Sequence, residues 1–201
     1  MTVEVEAERT RLRERSRRLR DAIDPARRLA SSEAIHERLY ELSWFREAVA
    51  VAIYFSTGSE VMTGALAVRL AEEEGKRIFL PFVLNDELQV TEWRPSDPVV
   101  DAPYGGMHPR YRRAVSLEEV DAIVVPGLCF DRAGGRLGEG TGHVDGLLRR
   151  LPARTGRIGL AFSEQVVQAV PLRPGDERVQ AVVTDAEVIV CDPVFEPSPA
   201  R

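Results

Sequence analysis

A chain of 201 residues with 44% apolar content is long enough to bury a sizeable core, and one domain over residues 1–193 is expected. Its net charge of −5 and pI near 5.4 argue against a general nucleic-acid binder, since phosphate backbones are held by an excess of Lys and Arg. Two cysteines, Cys129 and Cys191, lack CxxC spacing, which excludes a disulfide framework and points to a reduced, cytoplasmic setting.

The polar N-terminus carries no apolar signal segment, and no run approaches the ~20 residues that span a bilayer. Seven arginines lie between Arg9 and Arg20, and Leu12, Leu19 and Ile23 can share one face, so residues 7 to 22 predict a helix with a basic surface. On composition, that helix is either a solvated face or an RNA-binding arm. Asp24-Pro25 supplies an N-cap followed by proline at the first helical position, opening a second helix through Leu29, Ile35, Leu39 and Leu42. The pair predicts a helical hairpin ahead of a sheet.

Ala48 to Phe55 is a continuous apolar run, the pattern of a strand buried on both faces. It ends in the loop Ser56-Thr57-Gly58-Ser59-Glu60, at the end of the strand where open α/β sheets place ligands. Residues 63 to 74 predict a helix closed by Gly75, Lys76 to Val83 a strand interrupted by Pro81, and Leu88 to Trp93 a short alternating strand. From Pro95 to Pro109, through Pro103-Tyr104-Gly105, proline and glycine predict turns. Asp121 to Pro126 is the next strand.

The stretch from Gly127 to Asp145 is glycine-dense and carries Arg132 and Arg136; Asp145 then opens a helix through Leu147, Leu148 and Leu151. Glycine lets backbone N–H groups and a helix N-terminus converge on one anion, so a nucleotide phosphate is expected here; a tight corner between strand and helix explains glycines alone. A P-loop is excluded, because the only lysine is Lys76, and a dinucleotide fingerprint fails, because His143 stands where its last glycine belongs. The three histidines, His36, His108 and His143, are too scattered for a zinc site. Ile158 to Phe162 predicts a strand, Glu164 to Ala169 a short helix, and Ala181 to Thr184 with Val188 to Val190 the last strands; a disordered tail is expected over 194–201. Alternation of strands and helices gives a three-layer α/β/α domain with a mostly parallel sheet.

In this arrangement the chain resembles the 5-formyltetrahydrofolate cyclo-ligase family, also called methenyltetrahydrofolate synthetase. The resemblance runs from about Arg9 to Thr184. Val125-Pro126-Gly127-Leu128 with Phe130-Asp131, Gly135-Arg136-Leu137-Gly138 with Gly140, Gly142 and Asp145, and Ser59-Glu60-Val61 with Thr63 carry most of it. It implies ATP- and Mg²⁺-dependent closure of 5-formyltetrahydrofolate, a reduced folate, to 5,10-methenyltetrahydrofolate by a monomer, with no nucleic acid or membrane involved.

By position, the resemblance puts Arg9, Arg13, Arg136, Leu137, Gly138, Glu139, Gly140, Thr141, Gly142, His143 and Val144 at ATP, with Arg136 and Asp145 catalytic and Asp145 and Asp176 at the metal. Phe55, Glu60, Trp93 and Tyr104 fall at the folate. Asp131, read on its own, caps or shapes the loop rather than binding metal. The family loop usually closes on two tyrosines before its aspartate, where this chain has His143 and Val144; Glu139 stands where a basic or aromatic residue is common. The alternative reading is a divergent paralogue that binds nucleotide or another N-formyl, folate-like ligand without turnover.

Overall fold

The computed structural model describes residues 3–101 and 107–195, so Tyr104 and the tail from residue 196 lie outside the described residues. Three helices precede the sheet: α1 (Val3–Asp21), α2 (Pro25–Leu39) and α3 (Ser43–Glu47). The Asp-Pro pair acts as expected, Asp24 Oδ1 accepting from the amides of Ala26 at 2.9 Å and Arg27 at 3.3 Å. Strand β1 (Ala50–Ile53) leads through α4 (Gly64–Glu72) to the hairpin β2 (Arg77–Leu84) and β3 (Glu87–Trp93), and then to the short pair β4 (Val99–Asp101) and β5 (Met107–Pro109). Strands β6 (Ala122–Val125), β7 (Cys129–Asp131) and β8 (Arg136–Leu137) run into α5 (His143–Arg150). The chain closes with β9 (Gly156–Leu160), β10 (Val166–Val167), β11 (Ala181–Val183) and β12 (Val188–Val190).

Seven strands form the main sheet in the order β12-β11-β9-β6-β1-β2-β3, parallel except for β12 and β3 at its edges. Every residue of β1 and β6 is buried, because period-2 alternation sends them to two separate cores. Val51, Ile53 and Val124 join Ile35, Leu39 and Leu66 of α2 and α4, whereas Ala52, Ile123 and Val125 join Leu147 and Leu148 of α5. The arrangement is α/β/α. Among the described residues no helix is long and apolar enough to cross a membrane.

Pairing of β2 with β1 stops at Phe79, two residues before Pro81, which has no N–H to offer a second neighbour; β2 continues only with β3. Asn85 and Asp86 close that hairpin with φ of 51° and 62°, the left-handed pair that matches strand twist. Lys76 Nζ donates to the carbonyls of Arg46 at 2.8 Å and Ala48 at 2.5 Å, tying the end of α3 to the start of β2.

Four expectations are corrected. Leu19 and Leu29, read as positions on the apolar faces of their helices, are 42% and 48% exposed; the inward stripe of α1 is Arg9, Arg13, Ser16 and Arg20, with Ile23 buried just past the helix end. The second helix stops at Leu39, and α3 is separate. The stretch from Pro95 to Pro109 contains the β4–β5 pair. The helix expected over 164–169 is one 3-10 turn, Ser163–Gln165, followed by β10. There Gln165 Nε2 donates to the carbonyls of Gly127 at 2.9 Å and Leu128 at 3.0 Å, and one turn is too short to nucleate a helix against such ties.

Strands β7 and β8 lie inside what the sequence presents as a glycine loop, and with β10 they make a second, three-stranded sheet. Phe130 of β7 is fully buried between two glycines: a Cβ on Gly127 would lie 2.6 Å from its ring, and one on Gly159 of β9 would lie 2.3 Å from it. Gly159→Ala is therefore expected to lower the unfolding free energy by ~1–3 kcal/mol, and by less when Phe130 is also changed to leucine, because the ring is what overpacks. Urea denaturation of the two single variants and the double variant checks this; additive costs would show that the ring is not the obstacle.

Candidate active site

Strands β1 and β6 are neighbours whose onward connections go to opposite sides, β1 toward β2 and β6 toward β9, so their carboxyl ends form a topological switch point. The loops leaving those two ends face each other. Between them and α1 lies a cleft of about 600 Å³, lined by Thr57 and Glu60 from the first loop, by Pro126 to Leu128 and then Arg136 and Gly138 to Asp145 from the second, and by Arg9, Arg13 and Arg20 from α1. Arg173 and Asp176 complete the wall, with Val83 and Leu88 on the hairpin side.

The second loop is held by Asp131, whose side chain is buried. Its Oδ1 accepts from the amides of Ala133 at 2.9 Å and Gly135 at 2.8 Å, and its Oδ2 from the amide of Val170 at 2.8 Å. These bonds fix the β7–β8 turn, and β8 in turn delivers Arg136 to the cleft. Downstream, Gly140 has φ of 107°, closed to most side chains, and lies under the Arg13 guanidinium; Gly142, with φ of 76°, caps α5 at His143, two residues earlier than expected.

Guanidiniums and carboxylates alternate around the cleft. Arg136 Nη2 donates to Asp145 Oδ2 at 2.8 Å with only 2% of its side chain exposed, and Asp145 Oδ1 accepts from the Glu177 amide at 3.2 Å. Arg9 Nη1 donates to Asp176 Oδ2 at 2.5 Å and to the Pro171 carbonyl at 2.7 Å. Asp176 Oδ2 also accepts from the Arg173 amide at 2.8 Å, which leaves its Oδ1 without a hydrogen bond among the described residues. Arg13 Nε donates to the Gly138 carbonyl at 3.1 Å. The Nε groups of Arg9, Arg136 and Arg173 are buried without a hydrogen-bond partner among the described residues, so five arginines face four carboxylates with donor capacity unspent.

Glu60 sits in the first loop, its Oε2 accepting from the Thr57 amide at 2.8 Å. Burial pushes its carboxyl above the ordinary range, opposed by the Thr57 amide and the Arg20 charge. Phe55 and Trp93 stack edge-on with ring centres 5.1 Å apart, Trp93 in the core and Phe55 half-buried against it, and neither lines the cleft. Leu137 also departs from expectation: fully buried, it packs with Cys129 and Val170 rather than facing the loop's concavity. His143 does line the cleft, its Nε2 lying 3.3 Å from Asp86 of the β2–β3 turn, and Val144 follows it there.

The model of the 5-formyltetrahydrofolate cyclo-ligase family matches residues 5–185. The chain belongs to that family. A probable 5-formyltetrahydrofolate cyclo-ligase of Caenorhabditis elegans is 27% identical over 177 residues, 81% of this chain and 85% of the relative. The 5-formyltetrahydrofolate cyclo-ligase of Mycolicibacterium smegmatis is 33% identical over 148 residues, 70% and 75% of the two chains. The NMR structure of Aquifex aeolicus 5,10-methenyltetrahydrofolate synthetase superposes with a TM-score of 0.82 at 29% identity, covering 94% of this chain and 96% of that one. The Mycoplasma pneumoniae synthetase, at 19% identity and a TM-score of 0.72, shares the fold.

Within this cyclo-ligase family member, Glu139 is not left facing an anion alone. Arg17 Nη2 donates to its Oε2, and Arg20 Nη2 lies 3.9 Å from its Oε1. Sequence reasoning missed Arg20 and Arg173. Arg20 was within reach, since positions 9, 13 and 20 fall on one stripe at 3.6 residues per turn; Arg173, in the segment between β10 and β11, carries no local signal.

Because the folded-state carboxyl of Glu60 is raised, the folded chain binds the extra proton in a window running upward from the ordinary carboxylate value of 4.5. The stability that goes with that proton is complete below the window and is lost as pH rises through it. Glu60→Gln, which keeps an acceptor for the Thr57 amide, is expected to flatten this decline and to gain on wild type toward neutral pH. Chemical denaturation across a pH series reads it out; matching slopes for the two proteins would rule the effect out.

Proposed function

We propose that this chain is an ATP-dependent cyclo-ligase that converts 5-formyltetrahydrofolate to 5,10-methenyltetrahydrofolate with release of ADP and phosphate. The observation that carries the reading is the convergence of Arg9, Arg13 and Arg136 with the Gly138–Asp145 loop in one cleft, in a chain of this family. The formyl oxygen is a poor leaving group. Transfer of the γ-phosphoryl group to that oxygen breaks the bond to ADP; the neighbouring folate nitrogen then attacks the formyl carbon, loses its proton, and phosphate departs with the C–O electron pair.

Such a transfer asks the protein for position and for neutralisation of charge rather than for covalent chemistry. Arg136 and Arg9, buried and each braced by a carboxylate, are pre-oriented donors for the phosphates, and the positive φ of Gly140 and Gly142 suits a loop whose amides turn toward an anion. Glu60, opposite, suits the amino and ring N–H donors of a pterin. No cluster of three metal-ligating side chains occurs among the described residues, which fits Mg²⁺: that ion takes one or two carboxylates and completes its shell with water and phosphate oxygens. Asp145 and Asp176 are the residues to hold it, Asp176 through its uncommitted Oδ1. When bound, the ion neutralises charge on the transferring phosphate.

The test mixes protein, ATP, Mg²⁺ and 5-formyltetrahydrofolate and follows the near-ultraviolet absorbance of the methenyl product. Arg136→Ala is expected to lower kcat/KM by roughly 10²-fold or more, the usual scale for losing a preorganised charge-assisted donor; a near-normal rate would remove Arg136 from the reaction. His143 and Val144 in place of two tyrosines favour a second reading, a weakened folate end. On that reading Val144→Tyr raises turnover of the folate, and an unchanged rate would show that the ring is not what limits it.

A further inference from the structure

Arg20 has no part in the roles given so far, yet its side chain reaches both loops of the cleft. Its Nε donates to Ser59 Oγ at 3.0 Å on the first loop, and its Nη2 lies 3.9 Å from Glu139 Oε1 on the second. The Ser59 hydroxyl spends its own proton on Asp21 Oδ1, so its lone pair is turned toward Arg20 and the contact has a fixed sense. Arg20 is buried, with 9% of its side chain exposed, and Arg17 shares Glu139 from one turn earlier. The next residue after Ser59 is Glu60, whose carboxyl responds to the charges of both Arg20 and Glu139.

We propose that Arg20 is a positioning residue, with Glu139 as its charge partner, that sets the Ser59–Glu60 turn according to the state of the Gly138–Gly142 loop. On this proposal a bound triphosphate draws that loop inward and pulls on Glu139, and through Arg20 the pull reaches Ser59 and Glu60 at the opposite wall. Glu139, out of keeping with a phosphate loop, then has a purpose: it is the loop's handle, not a ligand. Linkage makes the effect reciprocal, so each ligand tightens the other by the same factor.

This inference rests on the cyclo-ligase reading, and its test keeps the two apart. Calorimetry measures 5-formyltetrahydrofolate binding to the full chain with and without a saturating β,γ-methylene analogue of ATP and Mg²⁺. In the wild type the analogue is expected to tighten folate binding by about 5-fold or more. In Arg20→Gln and in Glu139→Gln that ratio is expected to fall to within about twofold of unity while both ligands still bind. A side chain that only stabilised the fold would lower the melting temperature and leave the ratio alone. Glu139 is half exposed, so its variant decides the matter if Arg20→Gln does not fold. A wild-type protein that binds both ligands without coupling, or a variant that keeps the wild-type ratio, overturns the inference. A wild-type protein that binds neither overturns the cyclo-ligase reading beneath it.

Discussion

Helix α1 is attached to the rest of the molecule by charge. Its inner stripe presents the guanidiniums of Arg9, Arg13 and Arg20 where an ordinary amphipathic helix presents leucines, and these meet Asp176, the Gly138 carbonyl, Ser59 and Glu139. Burying an unpaired guanidinium would cost several kcal/mol, so the carboxylates across the cleft are a condition of the helix docking at all. The same pairing leaves a concave surface on which arginines are already desolvated and aimed. Anion affinity and tertiary structure thus rest on one set of contacts.

Much of the architecture was legible in the sequence because β1, β6 and β11 are short β-branched or alanine-rich runs with no polar face, the pattern of strands in a doubly covered parallel sheet. What escaped was local and tertiary at once. Two-residue strands such as β8 and β10 have no period to read; they are held where Asp131 and Gln165 collect backbone amides and carbonyls, several from segments distant in sequence. Leu19 misled because apolar spacing was taken for burial on α1, whose buried face is polar; on α2 the buried face runs through Ser31, Ser32, Ile35, His36 and Leu39 and leaves Leu29 outside it.

For the site, the glycine-dense loop, Arg9, Arg13, Arg136 and the carboxylates Asp145 and Asp176 could be named from the chain, and the structure gathers them into one cleft. The folate side was less legible. Phe55 and Trp93 pair with each other rather than line the cleft, an outcome that hydrophobicity alone cannot separate from a ligand wall. Glu139 stood out in the sequence only as a departure from the basic or aromatic residue common there, because its partners, Arg17 and Arg20, come from a helix more than a hundred residues away and no pattern along the chain pairs them.

The single lysine has a consequence of its own. Lys76 spends its ammonium on two main-chain carbonyls, with 8% of the side chain exposed, so the cationic surface of this molecule is built from arginine. Reagents and enzymes that modify primary amines, from acylating dyes to acetyl donors, meet a surface almost without side-chain targets.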